Sequence, residues 1–262
     1  MKSFDINIDQ GSLVSLILIL LVFVPMLLCV AFMTIIERKA MGSMQRRIGP
    51  NVVGYYGVLQ PFADALKLVV KEQIIPAQSN KALFFLAPMI SLVFSLLGWA
   101  TIPFGSGMAI TDISLGMLFS LAVSSIGVYG ALFAGWAANS KYAFLGSLRS
   151  TAQMVSYELI FSTCVAAVIL LAGSLNFTTI VEAQTSIWFI VPLFPLFIMY
   201  LISALAELNR TPFDLPEAES ELVSGFMTEH SASIFVFFFL GDLLAVLGTI
   251  SAITPWQYLA FF

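Results

Sequence analysis

Two carboxylic acids stand where carboxylic acids are costly. Glu158 and Asp242 each lie inside a long apolar run. Glu158 is roughly seven residues into its run, or ~10 Å at 1.5 Å per helical residue. Asp242 is near the middle of its own. An ionised Asp at the centre of a bilayer costs ~2.5–3.5 kcal/mol on insertion scales. Lys and Arg can reach back to the interface, but a short Asp cannot. Three arrangements satisfy such a group. It serves as a proton relay lining a cavity, it is a protonated carboxyl bonded to a neighbouring helix, or it belongs to a local ion pair. The first makes the chemistry proton transfer, and it predicts that Glu158 is buried.

The densest acidic stretch is AELNRTPFDLPEAESELVSGFMTEH, with Glu207, Asp214, Glu217, Glu219, Glu221 and Glu229 opposed only by Arg210. Asp214 and Glu217 have capping-box spacing, Pro216 suits a first turn and Gly225 a stop, so the spacing predicts a short helix over 215–224. On that helix Asp214, Glu217 and Glu221 share one face. Such a stripe repels itself, which favours coupled protonation if it is buried. The alternative is plain: Asp214 caps, Glu217 completes the box, and acids suit a helix N-terminus.

A second charged block, ERKAMGSMQRRIGPNVVGYYG, follows the first apolar run. Glu37, Arg38 and Lys39 read either as a functional group of charges or as a flank that stops membrane insertion. The glycines and Pro50 predict irregular backbone. No P-loop and no GxGxxG fingerprint occurs, so nucleotide binding is not inferred. Cys29 and Cys164, the two cysteines, both lie in apolar runs and cannot supply the thiolates of an iron–sulfur cluster or an all-cysteine zinc site. A single histidine, His230, excludes a multi-histidine haem or metal cage within the chain.

The elements that must position these groups are membrane spans. Of 262 residues, 60% are apolar and only 10% charged, which is the composition of a chain solvated by lipid. A ~30 Å hydrocarbon core needs ~20 apolar helical residues. Six stretches qualify: 13–36, 82–102, 113–137, 152–173, 187–206 and 232–253. The fold class expected is therefore an all-α membrane protein, a single polytopic domain over 1–262. With the N-terminus outside, the inner loops hold Arg38, Lys39, Arg46, Arg47, Lys67, Lys71, Lys81, Lys141, Arg149 and Arg210, leaving only Lys2 of the eleven basic residues outside. Trp99, Trp136, Trp188 and Trp256 fall near span ends, as an interfacial belt requires. The N-terminus has neither the Arg-rich pattern of a transit peptide nor a signal-peptide cleavage site. In the first inner loop Leu59, Phe62, Leu66, Val69 and Val70 share one helical face, and Asp64, Lys67 and Lys71 the other. That spacing predicts an amphipathic helix lying on the membrane surface or on a partner.

Three strings carry a resemblance. ERKAMGSMQRRIGPNVVGYYGVLQPFADALKLVVKE, LRSTAQMVSYEL and AELNRTPFDLPEAESELVSGFMTEHS resemble, in order and spacing, blocks of the family of subunit 1 of NADH:quinone oxidoreductase (respiratory complex I). The resemblance covers about 13–240. It implies a membrane subunit that forms part of a quinone tunnel, with Arg38, Asp64 and Lys67 along or near it. It implies an acidic proton path containing Glu158, Glu207, Asp214, Glu217, Glu219, Glu221 and Asp242. Ubiquinone would be the substrate, and no flavin, haem or iron–sulfur cluster would belong to this chain. The implied partners are the peripheral quinone-module subunits, neighbouring membrane subunits and the lipid bilayer, with no nucleic acid. The implied compartment is the mitochondrial inner membrane, with the bacterial plasma membrane as alternative. Two departures stand out. Asp242–Leu243 occupies a place where the family usually has Glu–Tyr, and the family's eight spans are here read as six, without the last two. Two other functions compete: the membrane anchor of a related membrane-bound hydrogenase, and an independent proton-coupled transporter. The transporter predicts inverted repeats, and the sequence shows none.

Overall fold

In lipid the backbone has no water to bond, so an apolar run must satisfy its own N–H and C=O groups, and a helix does so within one segment. The computed structural model describes residues 12–103, 109–185, 187–207, 209, 212–215 and 219–251, and for 12–18, 219–220 and 246–251 the backbone alone. Every regular element among them is helical. They fall into two compact units, one of residues 12–73 and one of residues 74–251.

The first unit holds α1 (Ser12–Met44) and α2 (Gln60–Val70). Helix α1 runs past the predicted end at 36, so Glu37, Arg38, Lys39 and Gly42 are helical; only the residues after Met44 are irregular. Charge ends an apolar run but need not end a helix. In the irregular stretch Gly57 has φ +74°, and a Cβ there would stand 2.2 Å from Pro50 O, so no other residue fits. Helix α2 is the predicted amphipathic helix. Its apolar side chains Leu59, Phe62, Leu66, Val69 and Val70 are exposed, apart from an edge-on contact of Phe62 with Phe32 at 6.1 Å.

The second unit contains α3 (Lys81–Gly98), α4 (Gly116–Ala138), α5 (Lys141–Ala172), α6 (Phe177–Ala183), α7 (Phe194–Glu207), α8 (Glu219–Leu222) and α9 (Ala232–Ser251). Together with α1, the helices α3, α4 and α5 are long and apolar enough to cross a membrane; α7 and α9 are apolar but offer shorter described stretches. Six spans are thus an expectation of which four meet the length test among the described residues.

Three boundaries differ from those expected. Helix α5 starts at Lys141, not near 152. Asn139 ends α4 in the left-handed conformation (φ +53°), and the Ser140 side chain caps α5 by accepting from Ala143 N at 3.3 Å. The polar residues Lys141 to Gln153 hide this start from hydropathy. At 32 residues α5 is ~48 Å long and must project beyond a ~30 Å core. Helix α7 begins at Phe194 rather than 187, because Pro192 and Pro195 withhold N–H donors and belong before or in a first turn. The helix expected over 215–224 is described as the single turn Glu219–Leu222, with Asp214 in the loop before it.

Small residues let these helices touch. A Cβ on Gly130 would meet Ala87 O and Ser91 at 3.0–3.1 Å, and one on Gly241 would meet Ser91 Oγ at 2.9 Å, so α4 and α9 both lie close against α3. Phe84, Ala134, Ala138, Phe226, Ile234 and Phe238 form the core beside these contacts. Trp99 turns inward, and its Nε1 donates to Leu244 O at 3.0 Å, tying the end of α3 to α9.

Candidate functional site

In the first unit Arg38 and Asp64 pair directly, Nη1 to Oδ2 at 2.7 Å, and Gln60 Nε2 donates to Asp64 Oδ1 at 2.9 Å. Lys39 Nζ donates to Tyr56 O at 2.5 Å and sits over the Tyr56 ring. Lys67 is exposed, one turn beyond Asp64 on α2. Arg38 and Asp64 are 49% and 37% exposed, so the pair is worth only ~0.2–1 kcal/mol. What it does is fix one charged pair beside an exposed apolar helix face.

The second unit encloses a cavity of about 170 Å³ between α3, α4, α5, α7 and α9. Three of the acids singled out in the sequence meet around it. Glu207 and Asp242 line it directly. Glu158, near the middle of α5, bonds to two hydroxyls of α4 at its edge: Ser124 Oγ at 3.4 Å, and Ser125 Oγ in a shorter contact. Glu158 and Glu207 lie within electrostatic reach of each other. Glu158 is half-buried rather than fully buried as expected. Glu207 keeps its Oε2 buried without a hydrogen-bond partner among the described residues. Ser91, Ser95, Ser120 and Ser124 place hydroxyls in the same wall, among Phe94, Leu121 and Phe161.

Hydrogen-bond arithmetic states what this arrangement can do. Ser124 and Ser125 each have one hydrogen, and each also lies within reach of Leu121 O, at 3.0 and 2.9 Å. While the hydroxyls donate to Leu121 O, the Glu158 carboxyl can bond them only by donating, which requires it to be protonated. Once it gives up that proton, the hydroxyls turn and donate to the carboxylate. One serine can therefore accept from a protonated Glu158, and both can donate to the carboxylate. Sequence reasoning missed both serines. Their spacing to Glu158 exists only after α4 packs on α5.

The acidic loop is gripped by one stripe of α5. Arg149 pairs with Glu221, Nη1 to Oε2 at 2.5 Å, with both groups exposed. Gln153 is buried and bonds the end of α7 and the loop. Tyr157 packs edge-on against Phe213 at 5.6 Å. These are positions i, i+4 and i+8, one face of a helix. Glu221 is thus an exposed, paired carboxylate, not a member of a buried stripe. Asp214 is half-buried. Glu217, with Arg210 and Pro216, lies outside the described residues, as do Lys2, Trp256 and the side chain of Glu219.

His230, at the loop's far end, is stacked on Phe84 at 4.1 Å and edge-on to Phe238 at 5.2 Å. Burial pushes it down to about 4, against smaller opposing effects of backbone bonds, so it is a neutral ring near pH 7. Cys29 and Cys164 are free thiols. Among the described residues no group of three or more His, Cys, Asp or Glu side chains could hold a metal ion.

Comparison with known proteins matches residues 17–260 to the family model described as NADH dehydrogenase. NADH-ubiquinone oxidoreductase chain 1 of Mycosarcoma maydis is 70% identical over 243 residues, covering 92% of this chain and 73% of that protein. Chain 1 of Podospora anserina is 63% identical over 230 residues, covering 88% and 63%. The corresponding NADH-quinone oxidoreductase subunit of the bacterium Rhodospirillum centenum is 55% identical over 240 residues, covering 91% and 71%. The chain thus spans about two thirds to three quarters of the length of these relatives. With a family match across most of its length and relatives this similar, the chain belongs to the NADH dehydrogenase family, among the proteins called NADH-ubiquinone oxidoreductase chain 1 and their bacterial counterparts.

Proposed function

We propose that the chain is a membrane subunit of a proton-translocating NADH:quinone oxidoreductase, a polytopic domain that forms part of the quinone tunnel and the start of an acidic proton path. The observation that carries this reading is the convergence of Glu158, Glu207 and Asp242, from three helices, on one hydroxyl-lined cavity inside an apolar bundle. Carboxyls are kept at such a place at a cost, and proton transfer is the chemistry that repays it. The relatives' names supply the reaction: NADH oxidised, a quinone reduced.

On this reading Arg38, Asp64 and Lys67 stand along the tunnel, where a quinone needs an apolar wall for its tail and polar groups near its head. The exposed apolar face of α2 beside the Arg38–Asp64 pair supports that. On the same reading Asp214, Glu217, Glu219 and Glu221 belong with Glu207 to the acidic path, and reduction of a quinone takes up protons along with electrons. Electrons arrive from a cluster in an adjoining peripheral subunit, and the chain itself carries no flavin, haem or cluster. Other subunits of the complex, ubiquinone and lipid are its partners. The membrane is that of a mitochondrion or, failing that, a bacterium, in keeping with relatives from fungi and from bacteria. The N-terminus faces outward and the span count is six.

Glu158→Gln in an assembled, full-length fungal relative tests the reading. The amide keeps shape and hydrogen bonds but cannot release a proton. Quinone-coupled turnover should fall while NADH oxidation by an artificial acceptor persists. Unchanged coupled turnover returns Glu158 to a structural role.

A further inference from the structure

Gln153 does more than fill space in α5. It is buried, and its Nε2 lies 2.7 Å from Ala206 O and 2.7 Å from Phe213 O, with Asn209 Oδ1 at 3.2 Å. An amide NH₂ has two hydrogens, and both near partners are backbone carbonyls. The orientation is therefore forced, because a flipped amide would set its oxygen against two carbonyl oxygens. Ala206 O, at the C-terminal end of α7, also accepts from Asn209 N at 3.3 Å, so the amide of Gln153 adds a second and shorter bond to it. Asn209, with φ +50°, turns the chain just beyond it, and Phe213 comes back to the same amide. One side chain thus ties both Ala206 and Phe213 to α5.

The residue after Ala206 is Glu207, and Glu158 is carried by the next turns of α5 from Gln153. We propose that Gln153 is a positioning residue: by donating to Ala206 O and Phe213 O it holds the end of α7, and with it the Glu207 carboxyl, at a fixed place against the part of α5 that carries Glu158. This rests on the proposed role of Glu158 and Glu207 in moving protons. Proton transfer between groups depends steeply on their spacing, and a carboxyl on a frayed helix end has none that is fixed. Arg149 and Tyr157 hold the loop a turn to either side, but neither bonds the α7 end itself.

The test uses an assembled, full-length fungal relative carrying Gln153→Met, Gln153→Glu and, in parallel, Glu207→Gln. Methionine keeps length and burial but donates nothing. It should lower quinone-coupled turnover about tenfold or more, since misplacing a reacting group by about an ångström can cost up to about a hundredfold. It should also move the pH optimum, speed amide exchange over 206–215, and leave the KM for quinone and artificial-acceptor activity unchanged. Glutamate can donate one bond only when protonated, so turnover of Gln153→Glu should recover as pH falls, which the methionine variant should not do. If Gln153→Met does not assemble, the pH response of Gln153→Glu decides alone, and a profile parallel to the parent's overturns the proposal. A parent-like pH profile in Gln153→Met with only less assembled complex also overturns it. Should Glu207→Gln shift the profile and Gln153→Met not, the clamp fails and the acidic-site reading stands. Should Glu207→Gln itself be silent, that reading fails and the clamp with it.

Discussion

Gly146→Ala places one methyl group where the structure has no room. The added Cβ would stand 2.6 Å from Gly225 Cα, 2.7 Å from Gly225 C and 2.8 Å from Phe226 N. All three are backbone atoms, so no rotamer change relieves the clash. Ordinary contact begins near 3.4 Å, so α5 and the 3-10 turn Gly225–Met227 must separate by most of an ångström. Overpacking of this kind costs ~1–3 kcal/mol, a five- to 150-fold shift toward the undocked turn at ~1.4 kcal/mol per factor of ten. Hydrogen exchange in an assembled, full-length relative should show it as faster exchange of the amides of 225–230, with α3 unaffected. Gly98→Ala is the control. A Cβ there meets nothing within 4 Å and the backbone is helical, so that change should be neutral, or slightly stabilising by the ~1 kcal/mol separating Gly from Ala in a helix. Exchange over 225–230 equal to the parent's in Gly146→Ala would refute the close docking of this turn on α5.

Three further outcomes follow from the geometry. Arg38→Ala, which leaves Asp64 without its cation, should lower quinone turnover while NADH oxidation by artificial acceptors persists; equal loss of both would indicate an assembly defect. Asp214→Asn should shift the pH–rate profile if the loop shares protons, whereas a capping Asp would make it nearly silent, since Asn caps about as well. His230 has its folded value lowered to about 4 against an ordinary 6.5, so the stability it contributes is present above pH 6.5 and lost as pH falls toward 4. Protection of the amides over 223–231, corrected for the intrinsic pH dependence of exchange, should therefore fall as pH drops through that window in the parent and stay flat in His230→Phe.

The readable part of the fold is the part written as runs and faces. Helix α2 is legible because Leu59, Phe62 and Leu66 alternate with Asp64 and Lys67 at helical spacing. Helices α3, α4 and α9 are legible because few charges interrupt them. The early start of α5 is masked by Lys141, Arg149 and Gln153, although Ser140 and the left-handed Asn139 are signals of a cap. Pro192 and Pro195 announce the late start of α7, but hydropathy ignores them. The acids at Glu158 and Asp242 can be picked out by cost alone. That Asp242 shares a cavity with Glu207, and that Glu158 bonds a serine of its wall, cannot, because hydropathy says which segments enter the membrane and not which segments become neighbours. The same holds for the Arg149–Glu221 pair and for Gln153, whose carbonyl partners lie at the end of α7 and in the loop after it, distant in sequence. A resemblance supplies roles for Arg38 and Asp64, and the 2.7 Å pairing between them becomes visible only in three dimensions.

The number of protons moved per electron, measured in sealed vesicles, tests the central claim most directly. Glu158→Gln, Glu207→Gln and Asp242→Asn should be introduced singly and in pairs into an assembled, full-length relative. If the three carboxyls work as one site around a common cavity, each single change lowers the ratio, and the pairs lower it little further, since groups acting as a unit are not additive. Single variants that pump at the parent's ratio while still reducing quinone would contradict the account, leaving three half-buried acids that hold helices together and move no protons.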